Sequence, residues 1–163
     1  PQRVQRLMLA STFARLAPSN AGQAGYFLAR ASATFFRSQR EQADLVAERI
    51  FPKPEHAEYR LGLAQQIRQC DTTTYRSALI FLAMYRLGHG LAKFTAPSLV
   101  IGGDADNTVA IERQEELAAS IPGSNFVVIK GAGHGVAVES PNEFNQYMFK
   151  WLAEPSTNGD QNA

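Results

Sequence analysis

Apolar positions fall along this chain in two rhythms. Two short β-branched runs, Leu99–Ile101 and Phe126–Ile129, each stop at a glycine turn that carries polar residues. Between them Ile111–Ile121 is charged and of helix length. Strand, helix, strand is a βαβ unit, and a crossover of that length favours parallel strands. Val4–Ser11, apolar after a polar start, reads as a third strand. From Ala21 to about Gly90 the spacing is helical instead. It predicts helices over Gly25–Arg37, Arg40–Phe51, Glu55–Cys70 and Thr72–Leu87. Pro18, Ser19 and Asn20 form a turn cluster able to cap the first of these, Pro52 and Pro54 end the second, and Asp71 suits the N-cap of the last. The Gly88-His89-Gly90 stretch breaks that helix. Pro141–Ala153 predicts an amphipathic helix with Phe144, Met148, Trp151 and Leu152 inward, Pro141 at its first position and Ser140 as cap. Pro155–Ala163 is polar and reads as a frayed tail. The layout is three parallel strands with a helical excursion of about 80 residues after the first, longer than an ordinary crossover.

At 163 residues, 45% hydrophobic and 19% charged, the chain has the make-up of a globular domain with one good core. A net charge of +1 gives no electrostatic reason to expect nucleic acid or an anionic membrane as partner. The single cysteine, Cys70, excludes an internal disulfide and a multi-cysteine zinc site. It reads as a buried thiol in a reducing, cytoplasmic setting. No apolar run is long enough to span a membrane, and Leu7–Ala10 is too short for the core of a signal peptide. The first residue is proline, so a start further upstream is expected.

In open parallel sheets, chemistry collects where loops leave the carboxyl ends of strands. Asp106 and His134 both stand at such ends. A carboxylate beside an imidazole fixes its tautomer and stabilises the imidazolium during proton transfer, which makes this pair the candidate site. The plainer reading is a capping aspartate and a polar turn histidine. Other constellations fail on a specific residue. The turn Gly131–Val136 has valine where a dinucleotide fingerprint needs its last glycine. Asp104–Thr108 resembles a calcium loop, but Val109 stands where the sharp turn needs glycine. His56 and His89 lack metal-ligand spacing and read as surface or helix-end residues. Ser11 lies near a strand end without elbow glycines and reads as structural. Tyr26, Phe27, Phe35, Phe36, Phe81, Met84 and Tyr85 read first as core. No cofactor or metal is indicated.

Three segments together resemble a known family. They are Ala96–Val109 with the acid loop, Ile121–His134 with the histidine loop, and Val138–Phe144 leading into the last helix. The family is the α/β-hydrolases, in the capped branch of esterases, haloperoxidase-like enzymes, enol-lactonases and carbon–carbon hydrolases. The resemblance implies a partial α/β-hydrolase sheet of three parallel strands, with residues 1–11 and 94–154 as core, 12–93 as an inserted helical cap and 155–163 as a flexible tail. It implies Asp106 as acid, three residues after Gly103, with Asp104 left to a local turn bond, and His134 as base. Some cap aromatics would roof an apolar pocket. The family's serine stands in a G-x-S-x-G elbow on an earlier strand, and no such motif occurs in these residues. Ala110 stands where the family often has proline. The expectation is the C-terminal portion of a serine-type hydrolase acting on a small, fairly apolar ester, lactone or related acyl substrate, with little triad catalysis in this chain alone. The alternatives are a non-catalytic binding domain derived from the fold, or a half-enzyme completed in trans. The strand at 4–11 would lack its usual neighbour, so it is expected to pair with the missing N-terminal half or with a second copy.

Overall fold

The computed structural model describes residues 4–18, 20–87 and 90–154. The readings made on Ser19, Gly88, His89 and the tail from Pro155 lie outside them. By contacts the chain divides into two compact units: residues up to Ala14 together with those from Leu87 on, and Arg15–Arg86 between them.

The first unit is built on a three-stranded parallel sheet in the order β1 (Leu7–Ala10), β2 (Ser98–Gly103), β3 (Asn125–Ile129). The register aligns Leu7 with Ser98 and Ile101 with Val127. Every residue of β2 is buried, as a central parallel strand covered on both faces must be. Alternation along β2 sends successive side chains to opposite faces. Val100 packs with Leu117, Ala118 and Ile121 at the end of helix α5 (Ile111–Ala119). Ile101 packs with Ile129, Ala132 and Val136, and Phe144 leans on that cluster. Val136 opens the short helix α6 (Val136–Glu139), and Phe144 belongs to α7 (Pro141–Ala153). In α7 Trp151 is buried, but Leu152, expected inward, is 47% exposed. Ser140 holds the cap position of α7 by its carbonyl, which accepts the Phe144 amide, and not by its side chain.

The second unit is helical: α1 (Ala21–Phe36), α2 (Gln39–Ile50), α3 (Ala57–Gln69) and α4 (Thr72–Met84). Asn20 caps α1 by accepting the Gln23 amide, and Ser38 and Glu41 form a reciprocal capping box on α2. Asp71 caps α4 through the Thr74 amide. Its core is a contact between α2 and α3, with Ala43, Val46 and Ala47 against Ala64 and Ile67. Tyr26 lies under the Arg49 guanidinium, and its phenol is pushed above the ordinary value of 10.0, by burial first and against the opposing pull of Arg30 and Arg49. Two expectations are corrected in this unit. Phe35, Phe36, Phe81 and Met84 are exposed, because the buried cluster of this unit joins α2 to α3 through small residues, whereas these four side chains stand on α1 and α4. Cys70 is exposed as well, since it follows the last residue of α3 and its Sγ reaches only the Gln66 carbonyl.

Candidate active site

The loops after β2 and β3 are stitched together by the backbone. The Asp104 amide donates to the Ile129 carbonyl at 3.3 Å, and the Ala105 amide to the Ala132 carbonyl at 3.0 Å. That approach requires glycine at 103, where a Cβ would stand 2.0 Å from the Ala132 carbonyl oxygen. Asp104 does not make the local turn bond expected of it. Its Oδ1 crosses to the other loop and accepts the Gly131 amide at 2.5 Å. Gly131 has φ +73°, a left-handed turn that suits glycine.

This stitching brings Asp106 and His134 together. Asp106 Oδ2 lies 2.9 Å from His134 Nδ1. The Asp106 side chain is fully buried, whereas that of His134 remains 24% exposed. Oδ1 of Asp106 accepts the amides of Thr108 at 2.8 Å and Val109 at 2.9 Å. Oδ2 also accepts from Gln114 Nε2 at 3.2 Å. Both oxygens of this buried carboxyl group are thus satisfied by hydrogen-bond donors. Facing such an acceptor, neutral His134 carries its proton on Nδ1, which leaves the Nε2 lone pair free to act as a base.

The histidine loop has its own clamp. Glu139 accepts the amides on either side of His134, from Gly133 and from Gly135, each at 3.1 Å. A Cβ on Gly133 would fall 2.6 Å from Glu139 Oε1, so the close grip depends on glycine there. Sequence reasoning passed over both Gln114 and Glu139. A signal for Gln114 existed, because it is a polar residue on the same helical stripe as the buried Leu117, Ala118 and Ile121.

The remaining candidates belong to other elements. Ser11 follows β1 with φ +45°, and its amide donates to the Ile101 carbonyl at 2.9 Å. Its hydroxyl is buried and has no hydrogen-bond partner among the described residues. His56 packs edge-on against Phe51 in the helical unit. Among the described residues no three His, Cys, Asp or Glu side chains gather as a metal site would need. No helix there is long and apolar enough to cross a membrane.

Comparison with known proteins agrees with this architecture. A hydrolase from Pseudomonas aeruginosa PA01 superposes with a TM-score of 0.77 at 26% identity, over 94% of this chain and 57% of that one. A thermophilic esterase from Thermogutta terrifontis, solved with malate bound, gives 0.67 at 26% identity, over 92% and 56%. The RutD protein of Stutzerimonas stutzeri (strain A1501), a candidate carbamate hydrolase by name, is 31% identical over 64 residues, 39% of this chain and 24% of RutD. The chain thus spans little more than half of the two solved structures. A family model described as TAP-like protein, of the α/β-hydrolase type, matches residues 82–163, half of the sequence. The chain belongs to that family, and so to the α/β-hydrolase superfamily.

Proposed function

We propose that this chain supplies the acid and base of a serine-type α/β-hydrolase acting on a small ester, lactone or related acyl compound. The observation that carries this reading is the 2.9 Å contact between His134 Nδ1 and a fully buried Asp106. In the complete enzyme, His134 Nε2 would take the proton of a serine hydroxyl as that oxygen attacks the acyl carbon. The imidazolium would then protonate the departing alkoxide. A water activated by the same nitrogen would release the acid and restore the serine. Asp106 would hold the tautomer and stabilise the imidazolium in both halves of the cycle. The serine and the oxyanion-hole amides would come from sequence preceding Pro1. Arg15–Arg86 would serve as the cap that selects the acyl group.

The same reading assigns a partner to β1. Among the described residues β1 pairs with β2 alone, so one edge offers unpaired amides and carbonyls to another strand. The strand carrying the nucleophile, or a second copy of this chain, would take that edge.

The test begins with the coding sequence directly upstream. It should encode a G-x-S-x-G elbow, and the joined polypeptide should hydrolyse short-chain p-nitrophenyl esters while the 163-residue chain stays at background. Ester turnover by the isolated chain that disappears in His134→Ala would contradict the proposal and point to a nucleophile within these residues.

A further inference from the structure

We infer that Gln114 is a positioning residue for the Asp106–His134 pair, dividing oxygen Oδ2 of Asp106 with the imidazole and so setting how strongly the carboxylate holds it. The inference rests on the acid–base reading of that pair. Gln114 is fully buried on α5, and its Nε2 donates both to Asp106 Oδ2 at 3.2 Å and to the Val109 carbonyl at 3.0 Å. Both partners are pure acceptors, so the NH₂ end of the amide must face them, and a flipped amide would set oxygen against oxygen. Gln114 Oε1 is left without a partner among the described residues. The orientation is therefore dictated by Asp106 and Val109 alone.

The backbone is cut to fit this side chain. Gly102 lies beneath the amide, and a Cβ there would fall 1.9 Å from Gln114 Oε1. A polar residue on an apolar stripe and a glycine on a central strand thus meet at one contact, and that contact ends on the candidate acid.

Its chemical effect follows from which oxygen is shared. Two loop amides occupy Oδ1, so Gln114 acts on the other oxygen. Oδ2 is the oxygen that binds His134, and an acceptor serving two donors offers each less charge than one serving a single donor. Gln114 therefore tempers the Asp106–His134 bond. A base that must both take a proton and return it works poorly if its cationic form is held too tightly.

The test is proton and ¹⁵N NMR of His134 in the full 163-residue chain, read at the Nδ1–H resonance, with Trp151 fluorescence reporting that the sheet unit is folded. Gln114→Met keeps the volume and removes the donor. It should move the Nδ1–H proton downfield by a few tenths of a part per million, as the undivided oxygen draws it closer. Gly102→Ala should move it in the same direction, because the new Cβ displaces the amide without changing its chemistry, and this variant carries the test if Gln114→Met does not fold. In an Asp106→Asn background the Gln114→Met shift should vanish. A resonance that stays put or moves upfield, or a shift that persists without Asp106, would overturn the inference. A separate outcome concerns the pair itself: if Asp106→Asn alone leaves the His134 tautomer and Nδ1–H unchanged, the acid–base reading fails first.

Discussion

The sheet unit shuts large residues away from solvent: Leu99, Ile101, Leu117, Ile121 and Ile129 are each no more than 2% exposed. In the helical unit the side chains with no exposed surface are Ala33, Ala43, Ala47 and the amide Gln42, while Phe36 and Met84 stand 86% and 74% exposed. The difference follows from architecture. A central parallel strand has two faces to cover, so Val100 meets α5 on one side while Ile101 meets α6 and α7 on the other. A helix needs only one stripe against its partner, and alanines there let α2 and α3 approach closely. The sheet unit is accordingly where loops can be held tightly enough to aim a carboxylate at an imidazole.

The largest expected effect separating the two units is on stability. Ile101→Ala should cost about 2–5 kcal/mol in urea unfolding followed by Trp151 fluorescence, through lost burial and the cavity left behind. Phe36→Ala should stay within about 0.5 kcal/mol, as an exposed substitution does. Equal costs would erase the distinction. Next comes Gly103→Ala, whose Cβ would strike the Ala132 carbonyl. It should destabilise by about 1–3 kcal/mol, and amide spectra should show the loop from Gly131 to Gly135 displaced. Unperturbed loop resonances would show that the two loops are held together some other way.

The smallest effect belongs to the helical unit and depends on pH. Glu41 is held below its ordinary value of 4.5, first by the Ser38 amide and then by the Ser38 hydroxyl, and Asp71 below 3.8 by the Thr74 amide. Carboxyls depressed on folding stabilise above their unfolded values and lose that contribution as pH falls through the folded ones. Amide exchange at Glu41 and Thr74 should therefore accelerate on acidification below about pH 4, relative to the intrinsic rate, while amides of β2 keep their protection. Loss of protection in β2 at the same pH would mean that the caps are not the first elements to yield.

The sheet was legible in the sequence because two signals coincide there. β-branched runs mark the strands, and glycine turns mark where they stop, which placed β2, β3 and α7 within a residue or two. Asp106 and His134 could be singled out because the carboxyl end of a parallel strand is a position readable from order, and the family resemblance then favoured Asp106 over Asp104. Gln114 is marked only as a polar residue on an apolar helical stripe and Glu139 not at all, since the partners of both are set by how closely backbones approach at Gly102 and Gly133, and no periodicity carries that distance. The aromatics of the helical unit misled for a related reason. A stripe at helical spacing shows which residues share a face, and not whether anything covers that face. Cys70 was placed inside on the habit of its residue type, whereas its position just past the end of α3 puts it outside.

The central claim is that Asp106 and His134 work as the acid and base of one hydrolytic site. The most direct measurement is kcat/KM for a short-chain p-nitrophenyl ester with the chain joined to the nucleophile-bearing segment that the proposed function requires, comparing the parent with His134→Ala and Asp106→Asn. Both variants should fall by roughly 10³-fold or more with KM little changed, and the double variant should fall hardly further than His134→Ala alone, because the two residues act as a unit. Variants that each retain activity within a few-fold of the parent would contradict the account.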